Sequence, residues 1–249
     1  MNKINNKNNK KIYAKYSNQG FVLIKNFFDK SSILKIKKNL RDFLENNKVS
    51  LGGVNFVDNK TKKINTAHKI KNWKLLKKIQ TNKKIIQIAT KLLKCKIKEF
   101  GAEVFAKPAK VGLASPIHQD NFYWNIKNNK GITFWIALDR ANKKNGSLFY
   151  YNKSHKLGLL PHKASFAPGS SQTIANLKKL KKFKKSYPEM NIGDVLIHDC
   201  LVAHGSKKNL SNKNRMGLTL RFIPANSKFN QKNKRKYQES LKSQTKKFN

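Results

Sequence analysis

The run Ser115–Pro116–Ile117–His118–Gln119–Asp120 sets an imidazole and a carboxylate two residues apart. In an extended strand, residues i and i+2 point to the same face. His118 and Asp120 can therefore offer a nitrogen and an oxygen to one metal ion. Two ligands do not hold a catalytic metal, so a third must come from elsewhere in the chain. His204 is the best candidate; it sits in HDCLVAHGS, directly after the strand-like run DVLIH. Two histidines and one carboxylate on one side of an ion leave coordination positions open, the arrangement used by non-haem Fe(II) oxygenases. The same donor set also suits a hydrolytic zinc ion. His198, close to His204 in sequence, is the rival third ligand. A His-x-Asp pair is weak evidence by itself, because such pairs also occur by chance and at turns.

Arg215 strengthens the case. It lies eleven residues after His204, in SNKNRMGLTLRFI. A hairpin through residues 209–214 would return it beside the metal on a neighbouring strand. A planar guanidinium grips a carboxylate through two parallel hydrogen bonds, which a lysine cannot reproduce. Arg215 thus reads as the anchor for the far carboxylate of a 2-oxo diacid. Arg221 has the same strand parity and is the alternative anchor. Ser206, two residues beyond His204, could donate a hydrogen bond to the same carboxylate. Phe122, Tyr123 and Trp124 follow Asp120 and read either as core or as substrate contacts.

These residues need elements to position them. Residues 1–11, low-complexity Asn and Lys, read as a disordered basic arm. Residues 20–28 (GFVLIKNFF) read as a short strand, after which Asp29 or Ser31 caps a helix with apolar residues Ile33, Ile36, Leu40, Phe43 and Leu44 at helical spacing. Gly52 and Gly53 interrupt the pattern. A second helical region runs from about Lys71 to Lys94, broken at Thr81–Asn82. From Ile97 to Ile223 the chain becomes short strand-like runs (EVFAKP, GITFWIAL, GSLFYY, DVLIH, GLTLRFI) punctuated by Gly, Pro and Asn, a texture of an all-β sandwich or barrel. Residues 177–186 form a basic insertion, a surface loop or short helix. Residues 226–249 read as a frayed, lysine-rich tail. The expected organisation is one domain over residues 12–225, with a helical cap at 29–94 and a β core at 97–224.

Composition bounds the partners. The chain of 249 residues carries 55 Lys and Arg against 12 Asp and Glu, a formal net charge of +43. Such a balance attracts nucleic acid or anionic surfaces. Yet Arg41, Arg140, Arg215, Arg221 and Arg235 are the only arginines, and the lysines are spread along the whole chain. A selected phosphate-binding surface should contain more arginine. No specific nucleic-acid partner is expected, and the charge is compatible with an anionic small-molecule substrate. Two cysteines, Cys95 and Cys200, make no disulfide framework and fit a reducing cytoplasm. The N-terminus lacks the apolar stretch of a secretory signal, and no apolar run approaches a membrane span.

The stretch from Pro116 to Ile223 resembles the phytanoyl-CoA dioxygenase family of Fe(II)/2-oxoglutarate oxygenases. The matching pieces are PIHQDNFYW, ITFWIALDRANKKNGSLFYYNKSHKLGLLPH, the Gly-Asp of NIGDVLIHDCLVAHGS, and NRMGLTLRFIP. The opening GFVLIKNFFDKSSILKIKKNL also looks like that family's first strand and helix. The resemblance implies a mainly β fold with a helical N-terminal part, a double-stranded β-helix (a cupin-like jelly roll). It implies Fe(II) on His118, Asp120 and His204, with 2-oxoglutarate as cosubstrate and its C5 carboxylate on Arg215. Gln119, Ser206 and Trp135 resemble further cosubstrate contacts. The implied activity is hydroxylation of a small-molecule or acyl-type substrate, with release of succinate and CO2. Related halogenases replace the carboxylate ligand by a small residue, so Asp120 favours hydroxylation. The family usually has Gly before the Ser of Lys153–Ser154–His155, and His155 reads as structural.

Overall fold

The alternation of side chains along three strands decides the architecture. In β6 (Ile132–Ala137), Ile132, Phe134 and Ile136 alternate with Thr133, Trp135 and Ala137. In β13 (Arg215–Pro224), Leu218, Leu220 and Phe222 alternate with Arg215, Gly217, Thr219 and Arg221. In β11 (Val195–Asp199), Val195 and Ile197 alternate with Leu196 and His198. The first member of each set joins one large apolar cluster. The second faces the opposite side of the sheet. One side of the sheet is thus core, and the other carries the chemistry.

The structure is a computed structural model and describes residues 6–47, 53–57 and 63–245. Helix α1 (Asn6–Gln19) leads into β1 (Phe21–Ile24), followed by α2 (Lys30–Asn47), β2 (Val54–Phe56) and β3 (Ile64–Ala67). Helices α3 (Leu76–Gln80) and α4 (Lys83–Leu93) precede β4 (Ile97–Lys107), β5 (Ser115–His118) and the short α5 (Asp120–Trp124). After β6 come β7 (Leu148–Tyr151), β8 (His162–Ala167), β9 (Ser170–Ile174) and β10 (Lys185–Ser186). Strand β11, β12 (His204–Ser206), β13 and α6 (Gln231–Thr245) complete the chain. Among the described residues, a seven-stranded sheet runs β1-β11-β6-β13-β4-β3-β2 and a four-stranded sheet runs β10-β7-β12-β5, with β8-β9 as a separate hairpin. The strand pairs are antiparallel. This is the jelly-roll layout that the family resemblance implied, with α1, α2 and α4 packed on the large sheet.

The helical layer follows local rules. Ile33, Leu40 and Leu44 of α2 are buried, as are Ile85, Ile88, Ala89, Leu92 and Leu93 of α4. Each large side chain so buried contributes about 1.5–3 kcal/mol. Asp29 Oδ1 accepts the backbone N–H of Ser32 at 2.7 Å and caps α2. Asn82 Oδ1 accepts the N–H groups of Lys84 and Ile85 and caps α4, so the interruption at Thr81–Asn82 is a true boundary. The basic insertion at 177–186 contains a 3-10 turn over Leu177–Leu180 and strand β10. Among the described residues no helix is long and apolar enough to cross a membrane.

Both ends depart from expectation. Residues 1–5 of the expected arm lie outside the described residues, as do Gly52 and residues 246–249, but residues 6–11 open α1. The expected frayed tail contains α6, which packs on the β8–β9 hairpin: Gln172 Nε2 donates to Ser240 Oγ at 3.0 Å, and Gln244 Oε1 accepts the N–H of Phe166 at 3.1 Å. Tyr237 rests edge-on to Tyr123, with ring centroids 5.5 Å apart. A few anchors spaced along one face hold a helix that is otherwise polar. The short strands β2 and β3 were not expected either.

Gly217 is the tightest point of the inner face. A Cβ there would stand 2.0 Å from Trp135 Cζ2, so only glycine lets the indole lie on the backbone of β13. Gly217→Ala is expected to destabilise the protein by about 1–3 kcal/mol through overpacking. A urea-unfolding midpoint equal to that of the parent would show instead that the indole can slide aside.

Candidate metal centre

His118 ends β5, and Asp120 starts α5 rather than continuing the strand. The same-face relation survives because Gln119 between them is still extended (φ −120°, ψ 133°). His204 opens β12 and pairs directly across from His118. One donor atom from each of His118, Asp120 and His204 lies within 4.8 Å of the others. His118 Nε2 and His204 Nε2 are each 3.7 Å from Asp120 Oδ1. The Nδ1 atoms face backbone carbonyls, Pro116 O at 2.8 Å and Val202 O at 3.0 Å. A carbonyl can only accept, so each Nδ1 carries the proton and each Nε2 presents a lone pair to the centre. Burial, with the neighbouring imidazoles, holds the His204 pKa well below its ordinary value, so the ring is neutral as a ligand must be.

Asp120 is oriented from behind. Its Oδ2 accepts from Thr133 Oγ1 at 2.7 Å and meets His198 Nε2 at 3.0 Å. His198 Nδ1 lies 2.9 Å from the Tyr150 hydroxyl. Oδ1 is thereby left toward the two histidines. Burial alone would raise the Asp120 pKa, but the hydrogen bond with His198 and the adjacent imidazoles hold it well below the usual carboxylate range. His198 is therefore packed against the far oxygen of the carboxylate, while His204 shares Oδ1 with His118.

The centre opens on a cavity whose wall includes His118, Asp120, His204, Trp135, Ser206, Arg215 and Arg221. Arg215 is 2% exposed. It stands on β13 of the large sheet, across the cavity from β12, not on the strand next to His204 as the hairpin reading expected. Its Nη2 donates to Gly146 O at 2.9 Å and its Nη1 to Phe105 O at 3.4 Å. The guanidinium carbon lies 5.0 Å from the Trp135 ring centroid. Among the described residues no carboxylate pairs with it, and the buried Arg215 Nε and Ser206 Oγ have no hydrogen-bond partner. Burial lowers its pKa to about 10, so it stays charged at neutral pH.

Lys107, on β4 directly across from Arg215, also lines this end and was not anticipated. Its Nζ donates to the carbonyls of Leu113 and Lys207. Burial, then the charge of Arg215, depresses its pKa to about 6. No signal in the sequence separates this lysine from the others. Thr133 could have been found, since it shares the inner face of β6 with Trp135.

Gln119 is a correction. Its side chain is fully buried away from the cavity: Nε2 donates to Gly158 O (2.8 Å) and Leu201 O (2.6 Å), and Oε1 accepts the N–H of Leu160 (2.7 Å). Every polar atom is engaged in tying three loops together, and none remains for a cosubstrate. His155 stacks beside the α1–β1 turn, with Nε2 3.1 Å from Ser17 O, away from the centre. Trp124 is core, Phe122 stacks on His162 at 4.2 Å, and Tyr123 packs edge-on to His118 at 5.5 Å.

The donor set fits a divalent metal of the non-haem iron type: two imidazoles whose Nδ1 atoms are held by backbone carbonyls, one ionised carboxylate, and a neighbouring cationic end with unpartnered donors. Comparison with known proteins agrees in fold. The peroxisomal phytanoyl-CoA dioxygenase of Bos taurus is 26% identical over 116 residues, 45% of this chain and 34% of that enzyme, so the match spans about a third of the relative's length. A probable alpha-ketoglutarate-dependent hypophosphite dioxygenase of Stutzerimonas stutzeri is 22% identical over 229 residues, 85% of this chain and 77% of the relative. The crystal structure of EctD from S. alaskensis with 2-oxoglutarate and 5-hydroxyectoine superposes with a TM-score of 0.73 at 16% identity, covering 91% of this chain and 78% of that one. The family model described as phytanoyl-CoA dioxygenase matches residues 16–217. The chain belongs to the phytanoyl-CoA dioxygenase family.

Proposed function

We propose that this chain is a non-haem Fe(II)/2-oxoglutarate-dependent dioxygenase that hydroxylates a small molecule. His118, Asp120 and His204 would hold the iron. Arg215, with Ser206 and Trp135 beside it, would hold the distal carboxylate of 2-oxoglutarate. The observation that carries this reading is the pairing of a two-His-one-carboxylate cluster with a buried, carboxylate-free guanidinium in the same cavity. The chemistry supplied by the bound iron and cosubstrate is oxidative decarboxylation, yielding succinate and CO2 and delivering oxygen to a C–H bond.

The protein's own residues supply position and charge. Thr133 and His198 fix the Asp120 carboxylate so that one oxygen faces the ion. Asp120 with a divalent ion leaves one net positive charge, and Arg215 adds a second, which matches a dianionic cosubstrate. Arg215 Nε and Ser206 Oγ, buried without partners on residues that line the same cavity, would be ready partners for a carboxylate. Asp120 fills the position that a halide would need, so hydroxylation is favoured. Two free cysteines are consistent with a reducing, cytoplasmic setting.

Anaerobic titration with Fe(II) and 2-oxoglutarate should produce a metal-to-ligand charge-transfer band. His118→Ala is expected to abolish it. Arg215→Gln should weaken cosubstrate affinity at least tenfold, since losing a buried charge-assisted contact costs about 1.5–3 kcal/mol. A hydrolytic metal enzyme would show no band and no loss of turnover in the Arg215 variant.

Lys107 gives a pH test. In the folded state it releases its proton near pH 6, whereas in the unfolded chain it keeps it to about 10.4. Between these values the unfolded state binds more protons, so stability rises with pH. The burial penalty is greatest at and below pH 6 and fades as pH climbs. Lys107→Met should therefore raise the thermal midpoint most at pH 6 and much less at pH 9. Equal gains at both pH values would show that the amine is not desolvated.

A further inference from the structure

The cavity has two cationic ends. Arg215 and Arg221 both lie on the inner face of β13 and both line the cavity that holds the triad. They are six residues apart, roughly 20 Å along a strand at ~3.3 Å per residue. Arg221 stands opposite Thr133, whose hydroxyl holds Asp120. It is therefore next to the metal centre, while Arg215 lies at the far end beside Ser206 and Lys107.

The surroundings of Arg221 are those of a mounted binding group. One edge of its guanidinium donates to Glu103 Oε2. Glu103 is itself braced by His68, whose Nδ1 lies 3.0 Å from Oε1. The guanidinium carbon lies 5.6 Å from the centre of the Trp124 ring. Thr219, also on the cavity wall, donates to Glu103 O at 3.1 Å. Asn65 and Thr66 of β3 line the same cavity between the two arginines, and the β8–β9 turn packs on them: Asn65 Nδ2 donates to Pro168 O at 3.1 Å, and a Cβ on Gly169 would stand 2.7 Å from Thr66 Oγ1. Glu103 takes one edge of the fork. The other N–H groups are left for the cavity.

We propose that Arg221 is the substrate anchor of this enzyme, binding a compact oxyanion carried by the substrate (a carboxylate or a similar singly charged group) on the side of the metal centre opposite Arg215. This rests on the reading of Arg215 as the cosubstrate anchor. If the cosubstrate occupies the Arg215 end, the donors of Arg221 remain for the second reactant, and the C–H bond next to that anion is brought beside Asp120. Burial lowers the Arg221 pKa only to about 10, so the fork is charged at any physiological pH. His68 is neutral there: burial, then the charge of Arg221, lowers its pKa to about 4. It braces Glu103 without adding charge.

The test is ligand-observed fluorine NMR with trifluoroacetate as the probe and trifluoroacetamide as its neutral twin. The protein is loaded with Zn(II) and saturated with 2-oxoglutarate, so that the Arg215 end is filled. The parent should bind the anion and not the amide. Arg221→Gln should lose at least tenfold in affinity for the anion. Glu103→Gln, which releases the second edge of the fork, should bind it several-fold more tightly, and the double variant guards against misfolding from an unpaired Glu103. The Fe(II)–2-oxoglutarate charge-transfer band is recorded for every variant, so that failure of the cosubstrate reading is seen separately. Unchanged anion binding in Arg221→Gln, or no binding by a parent that shows the band, overturns the proposal.

Discussion

The strict alternation of the large sheet is the constraint on which the site depends. A strand side chain faces one way or the other, and a shift by one residue would exchange the two faces. Here that exchange would carry Leu218, Leu220 and Phe222 into the cavity and drive two guanidiniums into the apolar layer against α2 and α4. The hydrophobic layer thus fixes the register of β13 against β6 and β4, and the register fixes which side chains meet the metal centre. Thr133, Trp135, Thr219 and Arg221 are turned to the inner face by the burial of their neighbours, and their own contacts then orient them there.

Buried cations make this arrangement costly without a ligand. Arg215 and Lys107 face each other across β13 and β4 with backbone carbonyls as partners. An unpaired charge in a desolvated site is expensive, and the protein answers in two ways. Lys107 yields its proton. Arg215 cannot, so it retains its charge and its empty donors. Arg221 is treated differently, since Glu103 balances it within the fold. One end of the cavity is therefore strained toward accepting anionic charge, and the other is nearly neutral but still offers directed hydrogen bonds. In the proposed reading, this difference would match a dianion to one end and a monoanion to the other.

The triad was legible because metal chemistry demands few residue types and because an extended chain sets i and i+2 on one side. The same rule, pressed further, would have excluded Gln119: a residue between two inward ligands must point outward. Family likeness outweighed that geometry. Arg215 could be picked out because arginine is scarce against a lysine background, whereas Lys107 could not, because one buried lysine among so many carries no signal. The strand partner of Arg215 is not legible in the sequence, because nearness in sequence suggests a hairpin whereas the chain crosses from the small sheet to the large one. Helix α6 was missed because it is polar overall and is held through Tyr237, Ser240 and Gln244, anchors too few to register as a hydrophobic face.

The surplus of lysine acts on a different scale from these contacts. With so few acids, several are already committed: Asp194 accepts the N–H groups of Asn26 and Asn191, Asp29 caps α2 at the surface, Glu103 braces Arg221 and Asp120 faces the histidines. Most surface lysines therefore lack a carboxylate partner, and their summed field is positive around the whole molecule. Such a field raises the local concentration of small anions and speeds their encounter, and it fades as salt shortens its reach to about 8–10 Å. It cannot tell one anion from another, because a lysine ammonium is a point charge on a flexible stem. In the proposed reading, discrimination falls to the two planar forks on β13, with Trp135 beneath one and Trp124 beneath the other. Attraction is spread over the surface, and selection is confined to one face of one strand.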